Sequence, residues 1–205
     1  MEQLWEKLRN RTPSPIGMTT FTKYAVLLPL VEKNGEIHLL FEVRSLQLRR
    51  QPGEICFPGG KIDTSDADAQ AAAIRETCEE LGIRETMISD VFPLDYLISP
   101  FGMIVYPFVA RLAHPEQIQP NAEEVAATFT VPLTFFLHTE PDVYRVHFQA
   151  RPEPDFPFEK IPGGKNYHWR PRQIDEYFYE YENNVIWGLT AKIVHHFVEI
   201  IRSVD

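Results

Sequence analysis

The chain has 205 residues, 44% hydrophobic and 24% charged, a composition that suits a globular domain with an ample core. It contains no run of about 18 apolar residues that could span a membrane. Its formal net charge of −9 argues against nucleic acid or an anionic membrane as partner, since both need a basic face; a small anionic substrate stays open if cations gather locally.

Leu4, Trp5 and Leu8 fall on one side of a short helix over residues 1–11. Thr12-Pro13-Ser14-Pro15 breaks it, so residues 1–20 read as helix and connector. Apolar runs at 25–31 and 37–43 flank Asn34-Gly35, the strongest short hairpin signal, and should pair antiparallel. Residues 51–64, rich in Gly and Pro, form a loop into the next helix. Ser65 with Asp68 three residues on gives that helix a capping-box start. Gly82 suits the left-handed position after its end, so it spans 66–81. Strands follow at 91–98, 103–112, 127–131, 144–148 and 175–181, and Pro107 marks the second as an edge strand or a bulge. Residues 132–136 make a short helix or turn. The last helix covers 186–204, with Leu189, Ile193, Phe197 and Ile200 or Ile201 at helical spacing. The whole reads as a single α/β domain over 1–205, with a mixed sheet. Two cysteines, Cys56 and Cys78, make no disulfide framework, and the charged N-terminus lacks the apolar centre of a secretion signal. Both point to the cytoplasm.

Near the end of the 66–81 helix stands Arg75-Glu76-Thr77-Cys78-Glu79-Glu80-Leu81-Gly82. Ala67, Ala71, Ile74, Cys78 and Leu81 share a stripe, assigned as the core face. Glu76, Glu79 and Glu80 fall opposite, beside Ala69, Ala72 and Ala73, which implies close backbone packing over a shallow acidic cleft. Like charges three or four apart cost about 0.2–0.5 kcal/mol per pair. Carboxylates at a helix C-terminus cost about 0.3–1 kcal/mol each. A chain that breaks two local rules in one place has a compensating cation or a site. Glu76 and Glu80, one turn apart, can share a hard divalent ion, with Glu79 reaching it or a second one. The competing reading is a solvated acidic face with Arg75 as its ion-pair partner.

Gly60, Arg75, Glu76, Glu79, Glu80, Gly82 and Ile83, within GGKIDTSDADAQAAAIRETCEELGI, resemble the Nudix hydrolase signature. Three departures stand out. Thr77 replaces the usual aliphatic residue, one extra residue separates Gly60 from Arg75, and Asp66 occupies the place of an isolated glutamate. The preceding LLFEVRSLQLRRQPGEICFPGGKID resembles the extra motif of coenzyme A pyrophosphatases, a Nudix subgroup. VIWGLTAKIV and AEEVAATFTVPL are similar to later family segments, so the resemblance covers most of 20–200.

That resemblance implies a Nudix-type α/β/α sandwich around a mixed sheet, with Mg²⁺ or Mn²⁺ as cofactor. The implied reaction is attack of water on a phosphorus of a nucleoside diphosphate derivative. Glu76 and Glu80 become principal metal ligands and Glu79 a supporting one. Arg75 orients these carboxylates, and Glu76, Glu79 and Arg75 form the catalytic group. Glu79 or Glu76 can act as general base; Glu123 and Glu124 are the other candidates. Gly59 and Gly60 bring backbone close to the diphosphate or to the helix. Arg44, Arg49, Arg50 and Lys61 form a basic patch, and guanidinium forks match phosphates. Coenzyme A, with a diphosphate and a separate 3′-phosphate, is the ligand such a patch fits. The leading expectation is hydrolysis of coenzyme A or acyl-CoA to 3′,5′-ADP and 4′-phosphopantetheine or its acyl form. The rivals are the same chemistry on ADP-ribose or nucleoside triphosphates, and a catalytically silent ligand-sensing module. The partner is then a small molecule, with neither nucleic acid nor membrane, and a homodimer is kept open.

Overall fold

The computed structural model describes residues 1–9 and 11–203, so Asn10 and Val204, included in the two terminal helices expected, lie outside the described residues. The chain is of the α/β class. Residues 1–28 and 58–119 form one unit; residues 29–57 and 120–205 form another.

In the first unit, α1 (Glu2–Arg9) forms where the spacing of Leu4, Trp5 and Leu8 places it, but that apolar side stays exposed. The start of β1 (Thr22–Lys33) pairs with β4 (Gly59–Lys61), a strand where the sequence led us to expect only loop. Two glycines without side chains let β4 lie flat against Ala25 and Val26. β5 (Ile88–Pro93) and β6 (Leu97–Ser99) replace the single strand expected at 91–98, and both pair with β7 (Met103–Leu112). β7 lies between β1 and β5, so Pro107 sits in an interior strand rather than at an edge. The register shift falls opposite, between Ser89 and Phe92. Pro107 is tolerated where the partner changes from β5 to β6; there its carbonyl accepts from Leu94 N–H at 2.9 Å.

Helix α2 runs Ala69–Leu81, shorter than expected. Asp68, not Ser65, is the N-cap, accepting from Ala71 N–H at 2.8 Å. Gly82 closes the helix at φ 61°, and a Cβ there would meet the Gln119 carbonyl. Of the expected core stripe, only Leu81 is buried. Ala72 and Ala73 are buried with Ala25, Leu27, Phe108 and Ala110, while Ile74 and Cys78 line an outward depression. Thr77 is fully buried, and its hydroxyl donates to Ala73 O at 2.7 Å, so the polar atom costs the core little.

In the second unit, the end of β1 and β2 (Glu36–Arg44) form the expected hairpin, in register from Leu30↔Leu39 to Lys33↔Glu36. β3 (Ile55–Cys56) and β8 (Val125–Pro132) also pair with β2. Phe41 stacks on Phe57 and Phe129 at 4.8 and 5.5 Å and touches Phe136 of α3 (Leu133–His138). A separate sheet joins β9 (Asp142–Phe148), β10 (Arg172–Tyr181) and β11 (Asn184–Trp187). Ile186 belongs to β11, so the last helix, α4, starts at Gly188 and ends at Arg202. Its buried stripe includes the expected Ile193 and Phe197, with Ala191, Val194 and Val198.

Glu42 is the exception in this core. It is 1% exposed in the middle of β2. Its Oε1 accepts from the Cys56 thiol at 3.2 Å, and its Oε2 has no partner among the described residues. Burial pushes its pKa up to about 7, and the Glu124 carboxylate adds to this, against the Cys56 bond and the Arg44 charge. In the unfolded chain the group ionises near 4.5. Between those values the folded state holds a proton that the unfolded state releases, so stability falls as pH rises through the window. Glu42→Gln should abolish this slope and raise stability at pH 8 by on the order of 2 kcal/mol. Urea unfolding at pH 5 and pH 8 checks it; an unchanged slope in the variant refutes the assignment.

Candidate active site

The acidic flank of α2 is organised by one guanidinium. Arg75 Nε and Nη2 donate to Asp66 Oδ1 and Oδ2 at 2.9 and 3.0 Å, a bidentate fork. Its Nη1 donates to Glu76 at 3.0 Å and Glu79 at 3.2 Å, and Nη2 also reaches the Lys61 carbonyl at 3.5 Å. The fork holds Asp66 at a pKa of about 2, and these bonds in turn raise that of Arg75. A second anchor lies one turn on: Glu80 is buried, and its Oε2 accepts from Gly59 N–H at 2.7 Å. Gly60 fits for a steric reason, because a Cβ there would collide with the Glu76 carboxylate.

The first unit therefore brings together Arg75, Glu76, Glu79, Glu80, Gly59 and Gly60, and Lys61 through its carbonyl. Arg44, Arg49, Arg50, Glu123 and Glu124 all belong to the second unit. Arg49 and Arg50 are exposed on the turn between β2 and β3. Arg44 Nε is buried and has no partner among the described residues. The Glu124 carbonyl accepts from Ser45 N–H at 2.7 Å, tying that loop to the end of β2. Glu123 is exposed.

The donors suit a hard cation. Glu76, Glu79 and Glu80 offer only carboxylate oxygens, and Arg75 already places positive charge between two of them. Among the described residues, no three His, Cys, Asp or Glu side chains converge on one point as a closed metal cage. An ion held by two or three carboxylates and completed by water and phosphate needs no such cage. Cys78 faces the depression beside Arg75 and Glu79, but burial pushes its thiol pKa up, against a role as nucleophile.

Two residues escaped the sequence reading. Asp66 is seen in the sequence only as standing where the signature has an isolated glutamate; its pairing across nine residues is tertiary and has no signature in spacing. Glu42 had a signal, a lone acid inside the apolar run Leu39–Val43.

The Asp66–Arg75 fork predicts an acid limb. Asp66 is 5% exposed and ionised well below the ordinary carboxylate range. Its contribution is fully present above about pH 4 and lost as pH falls toward 2. Asp66→Asn should lower the melting temperature at pH 6 and converge with wild type at pH 2. Parallel curves across that range in calorimetry sink the fork as a stabilising element.

A family model for the NUDIX domain matches residues 21–150. A Nudix hydrolase of Photorhabdus laumondii is 32% identical over 196 residues, covering 93% of this chain and 91% of that protein. A peroxisomal coenzyme A diphosphatase of Mus musculus is 46% identical over 122 residues, which is 60% of this chain and 51% of the relative. The chain thus spans about half the length of that relative. In fold it is similar to a MutT/nudix family protein from Enterococcus faecalis, at a TM-score of 0.50 and 12% identity over 98% of this chain and 69% of the other. On the family match and the near full-length relative, the chain belongs to the Nudix hydrolase family.

Proposed function

We propose that the chain is one catalytic domain that hydrolyses the diphosphate bond of coenzyme A or acyl-CoA, releasing 3′,5′-ADP and 4′-phosphopantetheine or its acyl form. The observation that carries this reading is the braced acid flank: Arg75 on Glu76 and Glu79, and Gly59 N–H on Glu80. Substrate choice is supported by the name of the mouse relative and by the arginines at and after the end of β2. The intact acids speak against a silent sensing module.

Glu76 and Glu80, with Glu79 in support, would hold Mg²⁺ or Mn²⁺. When bound, such an ion neutralises non-bridging phosphate oxygens and lowers the pKa of a water. The protein's own part is positional. Arg75 fixes the rotamers of Glu76 and Glu79 through charge-assisted bonds. Gly59 N–H fixes the orientation of the Glu80 carboxylate by donating to its Oε2. Glu76 or Glu79 takes the proton from the attacking water, with Glu123 and Glu124 as the other acceptors in the proposal. Arg44, Arg49, Arg50 and Lys61 receive the phosphates, which an acidic protein could not otherwise hold. The cytoplasm is kept as the proposed compartment. The mouse relative is named peroxisomal, and no described helix is long and apolar enough to cross a membrane.

Incubation with coenzyme A, ADP-ribose and nucleoside triphosphates in Mg²⁺ or Mn²⁺, with products weighed by mass spectrometry, tests the reading. Coenzyme A should be cleaved fastest, to the two products named; preference for another member overturns the substrate. Glu79→Gln should cut turnover by about 100-fold or more. Glu79 is 56% exposed, and an exposed i,i+4 pair contributes little, so melting should shift by no more than about 2 °C. Near wild-type turnover in a folded variant removes Glu79 from the chemistry.

A further inference from the structure

The small sheet of the second unit ends in an open edge. β9 is its outermost strand, in the order β11-β10-β9, and on its outer side it pairs with no strand among the described residues. Six of its seven residues, Asp142 to His147, are exposed. Proteins ordinarily blunt such an edge with proline, lysine, a bulge or a cover. DVYRVHF has no proline, glycine or lysine, and its register against β10 runs without a shift from Asp142↔Phe178 to Phe148↔Arg172. Both of its faces carry apolar side chains in water: Val143 is 49% exposed, Tyr144 61% and Val146 44%. On the face that carries Tyr144, a row of rings runs to the edge. Trp187 stacks on Phe178 at 5.8 Å, and Phe178 meets Tyr144 at 5.5 Å.

This edge suits a second copy of itself better than a foreign strand. A two-fold axis between antiparallel edges sets one residue opposite its own counterpart, and its neighbours pair outward from there. Centred on Tyr144, the row of rings continues from one sheet into the other as Trp187, Phe178, Tyr144 and then the same three reversed. Val143 then lies opposite the Arg145 stem, and Asp142 opposite Val146. Centring on Val143 puts Tyr144 opposite Asp142 and breaks the row. Centring on Arg145 opposes two guanidiniums, and centring on Val146 sets Arg145 against His147; like charges so placed are destabilising. The net charge of −9 opposes association at long range. At the edge itself it does not, because Arg145 offsets Asp142 and pairs with Asp175 at 3.5 Å, and salt screens charges more than about 8 Å away. The opposite edge of the sheet is guarded. β11 has four residues, and its Val185 and Trp187 look across a groove at Pro52 and Ile55 of the β2–β3 hairpin. With one open edge to each chain, pairing closes at two.

We propose that two copies of this chain join through antiparallel pairing of β9 with β9, centred on Tyr144, making one sheet of three strands from each copy. Backbone bonds between the edges supply the affinity, and the row of rings supplies the register. Two seven-residue strands fall short of the roughly 1,000 Å² that a stable interface needs, so the pair forms and separates with concentration.

Sedimentation velocity over a range of about 5–500 μM protein reads the mass of the species in solution. The parent should move from 23.8 kDa toward twice that value. Tyr144→Lys and Tyr144→Glu, each alone, should stay at one chain, since the axis brings two like charges face to face. Mixed in equal amounts they should regain the pair, because lysine then meets glutamate; misfolding of either variant gives no such recovery. Val185→Lys, on the same sheet but away from the open edge, should behave as the parent. Tyr144 is exposed, so the melting curves of its variants should overlay that of the parent. A parent that stays at one chain throughout overturns the proposal, even if a foreign peptide strand takes the edge instead. An assembly larger than two overturns the closed pair. Dimers that persist in both single variants place the contact elsewhere and overturn it as well. Single variants that separate and do not recover on mixing sink the Tyr144 register.

Discussion

One guanidinium decides whether three acids can share a helix flank. Without Arg75, Glu76, Glu79 and Glu80 would repel one another at the end of α2 where the helix dipole already disfavours them. With it, Asp66 is drawn out of the preceding loop and clamped by a two-pronged fork. The loop from Lys61 to Asp68 is thereby held against the helix, and β4 delivers Gly59 N–H to Glu80.

Glycine and alanine make that arrangement sterically possible. β4 approaches so closely that Gly59 has no room for a Cβ beside Val26, and Gly60 has none beside Glu76. Under the same strand, Ala69, Ala72 and Ala73 keep the helix low on the sheet. The acids therefore rise along the border of the packed face rather than opposite it. Glu80 is buried for this reason, and Glu79 is not.

How much of this could be read in the chain follows from the range of each interaction. The Asn34-Gly35 hairpin, the span of β7 and the left-handed Gly82 depend on neighbours in sequence, and the expectations held. The α2 core face did not. Periodicity alone favoured the stripe of larger apolar residues, Ile74 and Cys78, whereas close backbone approach selected alanines and a self-satisfied Thr77. The helix start was misplaced because Ser65 with Asp68 three residues on matched a capping box, whereas Asp68 is itself the cap, accepting from Ala71 N–H. Pro107 suggested an edge strand or a bulge, because pairing partners that change along a strand leave no local trace. The site acids were legible as a violation of local rules; their brace was only half legible, since Asp66 lies outside the helix.

The cations fall into groups that the sequence reading already kept apart, Arg75 beside the acids and Arg44, Arg49 and Arg50 at and after the end of β2. Arg75 has Asp66, Glu76, Glu79 and a backbone carbonyl around it, with Asp63 at 4.0 Å, so its donors are committed to protein oxygens. It orients acids and has little left for a phosphate. Arg49 and Arg50, by contrast, stand exposed on a turn, and the Nε of Arg44 is buried without a partner among the described residues. A buried donor left so costs about 1–3 kcal/mol unless something accepts from it. In a protein of net charge −9, a polyanion would be repelled from most of the surface, so binding must come from cations not already neutralised. Arg49 and Arg50 meet that condition and Arg75 does not, so the phosphate recognition proposed above would draw on a different element of the chain from the one that positions the acids.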